Sequence, residues 1–167
     1  MRLESPLTQR YNHAKQTWKL VTPVIALALS FAVSLPAALA QQNAEALVAS
    51  KRPADMSYRD LMQILGRTLN WVQDGVLVRN KQLVREGSNM IVNHPAPRDK
   101  PWSIMETDDQ EGFKQALLTY DKRLDAKANA VIAAAEKSDW LEASAALAEL
   151  QTACVSCHTQ WQHKARR

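Results

Sequence analysis

The chain has 167 residues, a formal net charge of +4 and a sequence pI of about 9.2. Four basic residues and one acidic residue lie in its first 40 positions, so residues 41–167 hold 17 basic and 16 acidic side chains and are nearly neutral. The high pI therefore comes mainly from the first 40 residues. Because the sequence also has no stripe of Lys or Arg interleaved with aromatic residues, the pI is no evidence for nucleic-acid binding.

Residues 1–40 have the pattern of an export signal. A lead containing Arg2, Arg10, Lys15 and Lys19 precedes an apolar run from Leu20 to Ala40. The run closes in Ala38-Leu39-Ala40, which predicts cleavage before Gln41 and release into the periplasm. The alternative is an uncleaved anchor in the inner membrane that faces the periplasm, since about 20 apolar residues are enough to span a bilayer.

Residues 41–54 are polar and rich in alanine, and they are expected to form a short helix or a mobile lead-in. The remaining segment, 55–167, is long enough for one domain. Helical patterning starts at Asp55 or Ser57, either of which suits an N-cap.

Apolar stripes at helical spacing predict four helices over residues 57–74, 77–93, 109–136 and 139–164. Gly75 is expected to end the first helix, and Asp139 to cap the last. The prolines in 94–107 predict a loop, in which His94 is expected to be exposed. Because no stretch alternates like a strand, the sequence predicts an all-α fold, an antiparallel up-down-up-down four-helix bundle preceded by an export signal.

The last predicted helix carries Cys154-Val155-Ser156-Cys157-His158, and this C-x-x-C-H uses both cysteines of the chain. It is the attachment motif of a c-type haem, in which each thiol adds to a haem vinyl group and the histidine becomes the proximal iron ligand. The motif predicts one covalent haem per chain. A thioredoxin-like dithiol would require a βαβ context, and a zinc site would require two more ligands, for which His163 is the nearest candidate.

Met62 is the candidate for the distal iron ligand. It lies on the apolar stripe of the first helix, which consists of Tyr58, Met62, Leu65, Leu69, Val72 and Val76. In an up-down-up-down bundle the start of the first helix lies beside the end of the last, so Met62 and His158 fall at similar depth. A thioether opposite an imidazole is a common axial pair for an electron-transfer haem. The alternative is that Met62 simply fills space in the core.

The C-terminal haem motif on a helical bundle resembles the cytochrome c′ family and its low-spin, methionine-ligated relatives. Tyr58-Arg59 ahead of Leu61-Met62 is similar to the start of the first helix in those proteins. The spacing of Met62, Leu65 and Leu69, and the segment from Asp109 to Trp161, look more like the soluble four-helix cytochrome b, whose haem is held by a methionine and a histidine. Counting from Tyr58, the distal position of the cytochromes c′ falls on Gln63, whereas aligning on Gly66 places it on Met62.

Two functions follow. The first is a periplasmic electron carrier that serves periplasmic or membrane-bound redox proteins, with His158 and Met62 as axial ligands. The alternative is a gas-binding cytochrome c′ with five-coordinate iron that takes up NO or CO. Neither is an enzyme acting on an organic substrate, and a homodimer is compatible with both.

Overall fold

The computed structural model describes residues 43–166, and the predicted export signal lies outside the described residues. The described part contains five α-helices: α1 (Ala44–Ser50), α2 (Tyr58–Leu77), α3 (Lys81–Val92), α4 (Thr107–Glu136) and α5 (Trp140–Trp161). Two short 3-10 turns, Pro101–Ile104 and Gln162–Lys164, precede α4 and follow α5. Within residues 43–166 there is no β-strand, which confirms the all-α class.

The four longer helices pack on one another as expected for a helical bundle. Contacts join α2 to α3, α3 to α4, α4 to α5, and α2 to α5. None of the helices in the described range is both long and apolar enough to cross a membrane.

Helix α2 begins at a capping box. The Ser57 hydroxyl accepts from the backbone N–H of Asp60, and the Asp60 carboxylate accepts from the backbone N–H of Ser57, each at 3.1 Å. These two bonds satisfy donors that the first turn of a helix leaves open. Ser57, rather than Asp55, is therefore the N-cap. Asp139 caps α5 as predicted, accepting from the N–H of Glu142 at 3.1 Å.

The prediction that Gly75 ends the first helix is wrong, because α2 continues to Leu77. Gly75 serves close packing instead: a Cβ there would lie 2.8 Å from both the backbone nitrogen and the Cγ2 of Val84 on α3. Val78 is the C-cap, and Arg79 follows it with a left-handed φ of 57°. The N–H of Asn80 then donates to the Gly75 carbonyl at 2.8 Å, which is a Schellman ending.

The turn between α4 and α5 repeats this ending. Ser138 has φ 61°, and its N–H donates to the carbonyl of Ala135 at 2.9 Å. The two turns lie side by side, since the ammonium of Lys81 donates to the carbonyl of Glu136 at 2.7 Å. This end of the molecule is called the turn end below.

The buried side chains form two clusters. The larger lies toward the turn end and consists of Val72, Val76, Val84, Ile91, Ala128, Val131, Ala134, Ala135, Ala143, Ala146, Leu147 and Leu150. The smaller consists of Ala44, Trp102, Met105, Phe113, Ala116 and Trp161. The predicted loop 94–107 contributes to this second cluster, because the segment around its 3-10 turn buries Trp102 and Met105 to 5% and 1% exposure.

The lead-in is packed against the rest of the domain. Beyond α1, the N–H of Ala54 donates to the carbonyl of Ala96, and the N–H of Ala96 to the carbonyl of Arg52, each at 2.9 Å. Glu45 of α1 forms an ion pair of 2.9 Å with Lys114 of α4. The segment therefore closes the space beside α4 at the end opposite the turn end, called the site end below.

Candidate functional site

The last turns of α5 bring the predicted haem-attachment residues onto one face. Cys154, Cys157 and His158 have i, i+3 and i+4 spacing, which places them on adjacent positions of a helix surface. Both cysteines are free thiols and half-buried, whereas His158 is exposed. Trp161 follows one turn later and is buried.

A mainly apolar cavity of about 290 Å³ lies beside this face. Its walls come from α1, α2, the loop after α3, α4 and α5. Leu61, Leu65, Leu69, Leu117 and Leu124 are among its apolar lining residues. Cys154, Cys157, His158 and Met62 also line it. The four residues that the sequence predicts for the site are therefore brought to one cavity, here called the inner cavity.

A larger open cleft of about 950 Å³ adjoins the inner cavity. Four residues line both spaces: Tyr58, Met62, Cys157 and His158. The cleft also borders the guanidinium-bearing Arg59 and Arg166, and it borders Met105 and Trp161 of the smaller cluster. The two spaces thus meet between the start of α2 and the end of α5, where a ligand could occupy both.

Burial governs the chemistry of the two thiols. It raises the pKa of Cys154, and together with the neighbouring Cys154 it raises the pKa of Cys157 to about 11. Burial is also the main reason that the pKa of the Tyr58 hydroxyl is raised. The free thiols therefore stay protonated near neutral pH, which slows their oxidation and alkylation until a reaction partner is held against them.

One group of ionisable side chains lines the inner cavity, and we call Lys51, His94 and Asp121 the polar corner. The Asp121 carboxylate lies 2.9 Å from the ammonium of Lys51 and 3.4 Å from Nε2 of His94. Burial acts to raise the pKa of Asp121, but hydrogen bonds and charge from His94 and Lys51 outweigh it and the pKa is lowered. Burial, followed by the charge of Asp121, raises the pKa of nearby Asp125.

Sequence reasoning does not find the polar corner. It predicts that His94 is exposed, but the side chain is only 17% exposed and contacts a residue of α4. No local pattern signals this contact, because the partners belong to separate elements of the chain. The bridge between Pro53 and Ala96 brings the lead-in and the loop together and so sets the position of both Lys51 and His94.

Two polar atoms buried in the described part of the chain have no hydrogen-bond partner there, Ser88 Oγ and Trp161 Nε1. Within residues 43–166 no three His, Cys, Asp or Glu side chains converge as a group that could hold a metal ion. Comparison of the chain with protein-family models, with curated proteins and with solved structures found no match.

Proposed function

We propose that the chain is an exported mono-haem c-type cytochrome that carries electrons. The observation that carries this proposal is the meeting of both thiols of C-x-x-C-H, the imidazole of His158 and the thioether of Met62 at one apolar cavity. This donor set matches what a macrocycle with two covalent attachment points and two axial ligands requires.

We further propose that α2 to α5 form an antiparallel up-down-up-down bundle. Two observations support it. The turns after α2 and α4 lie together, as the bond from Lys81 to the Glu136 carbonyl indicates. The first residues of α2 and the last residues of α5 line the same spaces at the other end. In such a bundle, a cofactor between α2 and α5 is reached from both helices.

Three features of these residues fit a haem. The inner cavity has mainly apolar walls, as a porphyrin face prefers. Gly66 lines it, and a Cβ built there would have no atom within 4 Å, so open space exists against α2. The adjoining cleft lets the ring extend beyond the inner cavity toward Arg59 and Arg166, whose charges suit carboxylate groups.

In this assignment Cys154 and Cys157 hold the haem through thioether bonds, His158 is the proximal ligand and Met62 the distal ligand. A bound haem supplies a one-electron couple. The chain would set the properties of that couple, because a thioether from Met62 would favour the reduced state. Electron exchange then needs only close approach of a redox protein to the open cleft, with no bound organic substrate.

A gas-binding function is the second candidate. The observation in its favour is the open space beside Gly66, on the apolar side of the inner cavity where a small diatomic molecule could lie. This candidate requires that Met62 does not ligate the iron, so that the distal position stays open to NO or CO.

The haem assignment is tested on protein expressed with its leader in a host that attaches haem. We expect a haem-peroxidase stain on the denatured band that resists acid-acetone extraction. Cys157→Ala should keep at most one thioether bond, and His158→Ala should prevent stable maturation. The matched control is His163→Gln, which changes an exposed histidine and should leave the stain intact. A stain that the solvent extracts would overturn the covalent assignment.

Export is tested by locating the mature chain. Because Ala38-Leu39-Ala40 precedes Gln41, we expect N-terminal sequencing of protein from the periplasmic fraction to begin at Gln41. Recovery only from membranes, with the first residues still present, would mean that residues 1–40 act as an anchor.

A further inference from the structure

Both ring nitrogens of His94 face oxygen atoms that can only accept a hydrogen bond. Nδ1 lies 3.0 Å from the Pro95 carbonyl oxygen, and Nε2 lies 3.4 Å from the Asp121 carboxylate. A neutral imidazole carries one N–H and satisfies one of these acceptors, whereas the doubly protonated ring satisfies both. The local geometry thus makes the His94 ring a proton-binding position.

The charged groups nearest this position are an ion pair and a second carboxyl group. Lys51 and Asp121 form an ion pair of 2.9 Å, and both are largely buried. Asp125 of α4 lies near enough to interact with Asp121, Lys51 and His94. The other titratable groups that line the inner cavity are Tyr58 of α2, Tyr120 of α4, and Cys154, Cys157 and His158 of α5. A proton on His94 therefore adds a positive charge to a corner in which carboxyl groups outnumber the single ammonium.

The inner cavity links this charge to the proposed haem. His94 and Lys51 line the same space as Cys154, Met62 and His158, and most of the wall between them is apolar. Charges that face each other through such a region interact more strongly than they do through water. Adding an electron to the haem lowers the positive charge on one side of the cavity and so favours a proton on the other.

On the basis of the proposed haem site, we infer that His94 takes up a proton when the carrier is reduced and releases it on oxidation. One electron arrives from a one-electron donor protein and one proton arrives from water, so that both ring nitrogens carry N–H groups and donate to Asp121 and to the Pro95 carbonyl. On oxidation the electron returns to a redox protein and the proton returns to water. The carrier then couples electron transfer to proton transfer, and by linkage each event favours the other equally.

The test is a spectroelectrochemical titration of the haem-loaded protein between pH 5 and 8, where imidazole groups change charge. At an effective dielectric of about 20, a unit charge on the opposite side of the cavity should change the redox equilibrium constant about four- to tenfold across the titration. A tenfold change corresponds to about 59 mV for a one-electron couple. The midpoint potential of the unmodified protein should fall as pH rises.

Three variants make the assignment specific. His94→Gln is neutral at every pH and should remove the slope in this window. His163→Gln alters the exposed histidine of the adjoining cleft, and the slope that remains in this variant should be lost when His94→Gln is added. Asp121→Asn removes the anion that favours the protonated ring, so the pH range over which the midpoint potential changes should move to lower pH. An unchanged pH range would mean that a group other than His94 takes up the proton.

A measurement on the unmodified chain serves if the His94 variant does not mature. The ring resonances of His94 are followed by NMR against pH in the oxidised and reduced protein, and the titration midpoint should be higher in the reduced state. Equal midpoints, or an unchanged potential slope in His94→Gln with covalent haem present, would overturn the coupling and leave the electron carrier standing. A chain that carries no covalent haem overturns both.

Discussion

Met62 occupies the position on which the choice between two functions depends. Its side chain is only partly buried and lines both the inner cavity and the adjoining cleft, as His158 does. Met105 also borders the cleft, but its side chain is 1% exposed and belongs to the smaller buried cluster. Met62 is therefore placed to reach a group that lies between α2 and α5.

The two methionines of the cleft provide a direct test. In the oxidised haem-loaded protein, we expect the weak far-red band of sulfur-to-iron coordination and no CO binding after reduction. Met62→Ala should remove the band, admit CO and lower the potential, because a thioether favours ferrous iron. Met105→Ala is the matched control and should keep the band, although the truncation should cost about 2–5 kcal/mol of stability.

Two other results have a clear meaning. Loss of the band in Met105→Ala alone would make Met105 the distal ligand. A high-spin spectrum and rapid CO binding in the unmodified protein would favour the gas-binding function.

At the scale of single elements, α2 contains two glycines with opposite roles. Gly66 lines the inner cavity, and a Cβ at this residue would have no neighbouring atom within 4 Å, whereas Gly75 is pressed against Val84 of α3. The first glycine leaves space open, and the second allows two helix backbones to approach each other. Of the two, only Gly75 is required by the helix packing of the described residues.

Substitution by alanine at Gly66 and at Gly75 should therefore change the free energy of unfolding in opposite directions when it is measured without haem. Gly66→Ala should raise the free energy of unfolding by about 1 kcal/mol, since alanine is the better helix former. Gly75→Ala should lower it by about 1–3 kcal/mol, because the new methyl group would overlap the Val84 backbone. Urea unfolding followed by circular dichroism measures both. Equal effects of the two substitutions would contradict the distinction.

The helices were predictable because their stripes extend over several turns, and α4, predicted at 109–136, is observed at Thr107–Glu136. The residues at which the helices begin and end were less predictable. The second predicted helix begins at residue 77, but α3 begins at Lys81 because Arg79 adopts a left-handed backbone that the sequence does not signal at a non-glycine residue. The exposure of single side chains also depends on tertiary contacts: Met90 of α3 is 40% exposed, although its sulfur accepts from the Thr68 hydroxyl at 3.0 Å.

The candidate site also contains a part that the sequence could predict and a part that it could not. Cys154, Cys157 and His158 lie on one face of α5 and stay together whatever the fold, whereas the approach of Met62 on α2 had to be expected from the bundle topology. The polar corner could not be placed, since Lys51, His94 and Asp121 come from three separate segments and meet only through tertiary contacts.

At the scale of the whole molecule, the two ends are closed by different kinds of contact. The turn end is held by short connections, after α2 and after α4, and by the large apolar cluster. At the site end, the segments that close the structure are far apart in sequence. The N–H of Arg166 donates to the Ile104 carbonyl at 2.8 Å, and the N–H of Ala54 donates to the Ala96 carbonyl at 2.9 Å.

This difference bears on the order in which the molecule assembles. Contacts between sequence neighbours form before those that close long loops. The two helical hairpins, α2–α3 and α4–α5, should therefore fold first, and the site end should close last. In the haem-free chain, amide hydrogen exchange should then be slow for α3 and the adjacent half of α4, and fast for α1 and residues 162–166. Uniform protection would contradict this order. A late-closing site end would leave Cys154 and Cys157 accessible for attachment of the proposed haem, and a haem bound there would then complete the fold.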